Sequence, residues 1–294
     1  MGFIVDSHAH VLAADRSVYP ARRLDPVVDA RSFERPHTVE HLRASMEDAG
    51  VDMALLVQRT QIYGFDNSYV CDAAWTDPAR LRAVAAIDAR APDCVGVARK
   101  WLARGAAGLR LMEPERGASI DWLTGPHAEL LWRFAAETGT PMCVHFFPWN
   151  REEGLSRLAT LLDSCGPVPV VIDHLSNGPS RGNAGDIDPL IAPFADRANV
   201  SLKFTAIPLA RLRAEGIPAA IFLRRFVALF GADRLMWGSD VAQSQGSYAE
   251  IVALGADATQ AFAPAERAWL MGGTAARMYG LPAPVERAAL RDAD

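Results

Sequence analysis

Eight short apolar runs recur along the chain, and their spacing limits the fold more than any other feature. They are FIVDSH (3–8), MALLV (53–57), AVAAI (83–87), AGLRLM (107–112), PMCVHF (141–146), VPVVIDH (168–174), NVSLKF (199–204) and RLMWGSD (234–240). Each has the length of a strand, and several are rich in Val and Ile. Between them lie stretches of helical periodicity. TVEHLRASMEDAG offers Thr38 as an N-cap and Gly50 as a stop. DCVGVARKWLARG sets Val95, Ala98, Trp101 and Leu102 on one face and ends at Gly105. HAELLWRFAAETG and PAAIFLRRFVALFG repeat the pattern and end at Gly139 and Gly231. Strands that alternate with helices predict parallel pairing through crossover helices. Eight such units predict an α/β fold, a closed (β/α)8 TIM barrel, for which about 250 residues is typical. An open doubly wound sheet wants a glycine-rich first turn, and VDSHAHV has none. No linker interrupts residues 1–294, so one barrel domain is expected, with the last ~10 residues as a frayed tail.

Composition narrows the partners. The net charge is -5 and no basic block occurs, which argues against nucleic acid. No apolar run reaches membrane-spanning length, and the start lacks a basic-then-apolar leader. Cys71, Cys94, Cys143 and Cys165 form no C-x-x-C pair and read as reduced thiols. The expectation is a cytoplasmic protein acting on a small molecule, away from membranes, with homo-oligomerisation left open.

In a barrel the C-terminal ends of the strands surround one mouth, and chemistry sits there. His8 and His10 close the first run, His145 the fifth, Asp173-His174 the sixth and Asp240 the eighth. Side chains alternate along a strand, so His8 and His10 point the same way. Two imidazoles reaching one point suit a metal site. Of seven histidines, four fall at these ends, while His37, His41 and His127 lie near helix starts and read as solvent-exposed. The long connection after His10 reads as a pocket wall. Arg59, Thr60, Tyr63 and Asn67 follow the second run and are expected to line the pocket. Phe146, Phe147 and Trp149 follow the fifth and suit either a ring substrate or plain packing. SNGPSRGNAGDID (176–188) reads as a mobile loop. Lys203 can pair with Asp240 or touch substrate, and Arg110, inside a strand, needs a partner.

DSHAH, VVIDHLSNG and LMWGSD, taken in order with QIYGFDNSYVCDAA (61–74) and GTAARMYGL (273–281), resemble the amidohydrolase superfamily, amidohydrolase-2 type. Within it they are similar to the branch of small lactonase barrels that includes the 2-pyrone-4,6-dicarboxylate lactonases and L-fuconolactonases. The resemblance covers nearly the whole chain. It implies His8, His10, His145 and Asp240 as metal ligands and Asp240 as acceptor of the attacking water's proton. It implies His174 as the second catalytic residue and Arg110 and Arg116 as carboxylate binders, with Arg211 as a looser third. Phe147 and Lys203 join the expected substrate-binding set, with Arg59, Thr60, Tyr63 and Asn67. Binuclear relatives carry a carbamylated lysine on strand four; here Arg110 stands there, which argues against a bridged metal pair. The pyrone dicarboxylate lactonases lack the fifth-strand histidine and can work without metal, so a metal-free route stays open beside one divalent ion, Zn²⁺ or Mn²⁺. The expected function is hydrolysis of a small carboxylated substrate, a lactone first, by an activated water. Metal-dependent non-oxidative decarboxylation of a carboxylated ring compound is the alternative, and a non-catalytic binding barrel the third reading.

Overall fold

All eight expected strands form: β1 Val5–Ala9, β2 Met53–Val57, β3 Leu81–Ala86, β4 Ala106–Met112, β5 Met142–His145, β6 Val170–Ile172, β7 Val200–Thr205 and β8 Leu235–Gly238. They pair in parallel in sequence order, β1 to β8. A parallel bridge between Ala9 and Val241 and a 2.7 Å hydrogen bond from Asp240 N to His8 O close the sheet on itself. The result is a (β/α)8 TIM barrel, seen in a computed structural model that describes residues 2–22, 31–178 and 187–282. The expected frayed tail lies outside the described residues, as does the middle of the loop 176–188.

The helices form where their caps predict. Thr38 caps Val39–Ala49 by accepting from His41 N, and Gly50 ends it in the left-handed region at φ 68°. Gly139 ends Pro126–Thr138 in the same way at φ 65°. His37 departs from the exposed reading: it is half-buried against His41, ring centroids 4.6 Å apart. Among the described residues no helix is long and apolar enough to cross a membrane. The four cysteines are free and buried.

Alternation divides the strand residues between two cores. Met142, Val144, Val170, Ile172, Leu202, Phe204, Leu235 and Trp237 pack outward under the helices. Val5, Met53, Leu55, Val57, Val84, Cys143, Val171 and Met236 point into the barrel, where Tyr279 and Leu281 join them. Inward side chains fill such a barrel as a packed core rather than a pore. The pairing of β1 with β2 slips between Asp6 and Ala9. Val5 points inward and Asp6 outward, where its carboxylate meets Tyr248; strict alternation would then send His8 outward. The irregularity re-aims His8 into the barrel, as bulges beside active sites do. Gly238 leaves room for it: a Cβ there would lie 2.7 Å from His8 Cβ.

Candidate active site

Two layers of polar groups fill the barrel toward the C-terminal ends of the strands. The outer layer is His8, His10 and Asp240. His10 Nε2 lies 3.3 Å and His8 Nε2 3.6 Å from Asp240 Oδ1. His10 Nδ1 donates to Val57 O at 2.7 Å, so Nε2 is the ring nitrogen turned to Asp240. His8 Nε2 and Asp240 Oδ2 are buried with no hydrogen-bond partner. One donor atom from each of the three residues falls within a 4.8 Å span. Two ring nitrogens that converge on one carboxylate oxygen, with its other oxygen buried and unpartnered, make a place for a cation.

The inner layer centres on Asp173, which is wholly buried. Arg110 donates to Oδ2 through Nε and Nη2, both at 3.0 Å. Lys203 Nζ lies 3.3 Å from Oδ1, and Cys143 Sγ donates to the same oxygen at 3.0 Å. His8 Nδ1 also lies 3.3 Å from Oδ1. Burial alone would push the Asp173 carboxyl up; Lys203, His8 and Arg110 overcome it and hold it well below the usual carboxylate range. Burial would likewise depress Lys203, but Asp173 beside it raises it instead. Burial lifts the Cys143 thiol to about 12, with the neighbouring carboxylate adding to it. With Asp173 ionised, His8 donates from Nδ1 and turns its Nε2 lone pair to the outer layer. A carboxylate behind a histidine fixes the tautomer of metal-binding imidazoles in this way. The ring of His8 thus joins the two layers.

His174 and Asp240 sit on unusual backbone. His174, Leu175, Ser176 and Asn177 all lie at positive φ (51°, 49°, 61° and 52°), as do Asp240 (52°) and Ala242 (68°). Left-handed geometry costs an L-residue roughly 1–2 kcal/mol, so these turns persist because surrounding contacts hold them. Arg59 Nη1 donates to Ala242 O at 2.6 Å and steadies the second turn. His174 Nδ1 meets Thr205 Oγ1 at 2.6 Å, and its ring stands 4.8 Å from His8 and 5.0 Å from His145. Burial lowers the basicity of His174 and, much further, of His8 and His145.

The remaining expected residues divide. His145 is not drawn into the His8–His10–Asp240 cluster; its buried Nδ1 stands 4.0 Å from Asp173 Oδ2 without a hydrogen bond. Lys203 pairs with Asp173 rather than Asp240, because it lies within β7 while Asp240 lies beyond the end of β8. Arg110 finds its partner inside the protein, so its guanidinium already holds a carboxylate. Asn67 clamps Ala86, accepting from its N at 2.7 Å and donating to its O at 2.9 Å. Tyr63 accepts from Ala13 N at 2.8 Å, and the Thr60 hydroxyl turns to the Met112 sulfur. These three hold the pocket wall together. Phe147 lies edge-on to His145 (4.5 Å) and stacks on Trp149 (4.6 Å). The exposed Arg116 lies over the Trp149 ring at 4.3 Å. Arg211 donates to Gly178 O at 3.0 Å. Sequence reasoning placed Asp173 at a strand end but gave it no role, and passed over Thr205 and Arg151.

The amidohydrolase family model matches residues 5–281. Among solved structures, a Pseudomonas putida protein provisionally named 2-pyrone-4,6-dicarboxylic acid hydrolase is 25% identical, with a TM-score of 0.76 over 96% of this chain and 99% of its own. A Burkholderia multivorans amidohydrolase with bound zinc is 20% identical, with a TM-score of 0.73 over 95% of this chain and 100% of its own. The 5-carboxyvanillate decarboxylase of Sphingomonas paucimobilis is 16% identical, with a TM-score of 0.67 over 96% of this chain and 100% of its own. The last two share the fold. No curated protein matches by sequence.

Proposed function

The chain belongs to the amidohydrolase family, and from that premise and the geometry of the mouth we propose that it is a metal-dependent hydrolase that opens the ring ester of a small carboxylated lactone. One observation carries the reading: His8 Nε2 and Asp240 Oδ2 are buried and unpartnered beside His10. That donor set, two imidazoles and a carboxylate, fits one divalent ion such as Zn²⁺ or Mn²⁺. His8, His10 and Asp240 would hold it, with His145 as the candidate fourth ligand. When bound, the ion supplies a water of lowered pKa and polarisation of the substrate carbonyl.

The protein's own groups do the rest. Asp240 accepts the proton of the attacking water on Oδ2 and returns it to the leaving ring oxygen as the ester bond breaks. Burial keeps His174 neutral. With the Thr205 hydroxyl donating to its Nδ1, the other ring nitrogen carries the proton and donates to the carbonyl oxygen, where negative charge grows. Asp173 orients His8 and, outweighed by Arg110 and Lys203, adds no negative charge that would repel an anionic substrate. Phe147 and Trp149 offer a flat wall to a ring, and Arg116 at the rim offers a cation to a carboxylate. Buried unpaired thiols suit a reducing compartment, and a cytoplasmic setting is part of this proposal.

The test is a panel of carboxylated and neutral lactones, with carboxylated aromatics beside them, assayed against metal-analysed protein. Ring opening of a carboxylated lactone supports the reading. Carbon dioxide release with no ring opening moves the protein to decarboxylation, and full activity in chelator moves it to a metal-free route.

A further inference from the structure

We propose that Arg151 is a positioning residue for His174, holding the left-handed turn on which the imidazole is mounted. Arg151 opens the helix Arg151–Leu162 after β5 and is buried, 7% exposed. Its guanidinium forks onto one residue of the turn: Nε donates to Ser176 O at 2.9 Å and Nη2 to Ser176 Oγ at 3.1 Å. Nη2 also pairs with Asp188 Oδ2 at 2.6 Å.

The turn needs such a hold. Four consecutive L-residues, His174–Asn177, lie at positive φ, and no glycine among them relieves the geometry. A run of this kind is local strain that the surroundings must over-determine. Those surroundings can be named. Asn177 Nδ2 donates to Phe146 O at 2.8 Å, and Arg211 Nη1 to Gly178 O. Gly178 itself is pressed so close that a Cβ there would stand 2.9 Å from Asp188 Oδ2 and 3.1 Å from Arg151 Nη2. Of these contacts only Arg151 is a buried charge aimed at the centre of the turn, two residues from His174. A fork of two donors to one residue resists both rotation and slip. Released, the turn would relax toward ordinary φ and carry the imidazole away from its place between Thr205, His8 and His145.

The inference rests on the reading of His174 as a catalytic group, and its test can be separated from that reading. Full-length protein is labelled with ¹⁵N-histidine, and the His174 ring resonances are identified by their loss in His174→Gln. Arg151→Met is expected to move those resonances in the substrate-free protein. It should lower kcat about 100-fold with KM changed less than about threefold, the pattern for a misplaced reacting group. Arg151→Lys keeps the charge but cannot fork, and is expected to move the resonances as well. Asp188→Asn leaves the fork on Ser176 and should lower kcat less than about threefold. In Arg151→Ala, added guanidinium should restore about a tenth of wild-type turnover. If Arg151→Met fails to fold, Arg151→Lys decides. His174 resonances at wild-type positions in the folded variants overturn the proposal, as does a rate loss that guanidinium does not touch. Wild-type protein that opens no lactone overturns the functional reading alone, since the resonances are read without substrate.

Discussion

Asp173 and Asp240 are both buried carboxylates just past strand ends, yet they are built for opposite purposes. Asp173 receives Arg110, Lys203, Cys143 and His8, and both of its oxygens are occupied. Asp240 faces two imidazole nitrogens with one oxygen and nothing with the other. A buried carboxylate with its donors supplied is inert scaffold; one left short of donors at the same depth is costly and marks where a ligand belongs. Neighbouring charges make the difference, since burial is the same. His8, with one nitrogen in each layer, is where the scaffold acts on the site.

The sharpest way to break the contrast is Asp240→Asn. Asparagine keeps the volume but cannot accept the water's proton, so kcat should fall ~10²–10⁴-fold. Bound metal, read by elemental analysis, should fall with it while the thermal midpoint of the metal-stripped protein stays nearly constant. Asp173→Asn should strike the fold first. It strands Lys203 and Arg110 without their anion, and breaking a buried pair costs about 3–5 kcal/mol. Calorimetry of the metal-stripped variant is expected to show a midpoint lower on the order of 10 °C, and metal affinity should weaken as His8 loses its orienting carboxylate.

Acid separates the layers without mutation. Burial depresses His8, His145 and His174, so the folded chain refuses protons that the unfolded chain takes up. For such groups stability is complete above the unfolded value near 6.5 and is lost as pH falls below it, by up to about 4 kcal/mol per pH unit while all three differ by a full proton. Asp173, depressed as well, adds a further loss only below about 4. Melting of metal-stripped protein from pH 7.5 to pH 5 should show the first loss; a flat midpoint would mean that the three imidazoles are already charged in the fold.

Two smaller tests sharpen the comparison. Arg110→Met removes charge-assisted bonds worth about 1.5–3 kcal/mol. Because Arg110 already holds Asp173, the loss should appear in the thermal midpoint, with KM for a carboxylated substrate nearly unchanged. A large rise in KM with an unchanged midpoint would return Arg110 to the substrate. Thr205→Val removes the hydroxyl at His174 Nδ1 and should cost about 1 kcal/mol, in kcat more than in stability.

The sequence made the barrel legible because apolar runs and helix stops recur with a period that few folds share. Its mouth was legible because histidine and aspartate stood at the ends of those runs. The inner layer was hidden by the rule that made the rest readable. Adjacent strand residues should face opposite ways, so Asp173 and His174 could not both be placed inside. The left-handed turn after β6 puts them there, and no glycine between 174 and 177 announces it. Arg151 reaches Ser176 across 25 positions, a distance over which spacing carries no signal. The slip in β1 was equally silent: alternation from Val5 would send His8 outward, and the slip turns it inward.

The seam between β8 and β1 sets an order of events during synthesis. Asp6 stitches it, accepting from Ser239 N at 2.8 Å across 233 positions and from the Tyr248 hydroxyl at 3.0 Å. At 5–20 residues per second the ribosome delivers the second half of that stitch on the order of 10–50 s after the first. Through that interval His8 and His10 are exposed on a growing chain whose Asp240 does not yet exist. The nascent protein therefore carries half of a cation site early and completes it among its last strands, so the catalytic set is assembled only once the barrel can close.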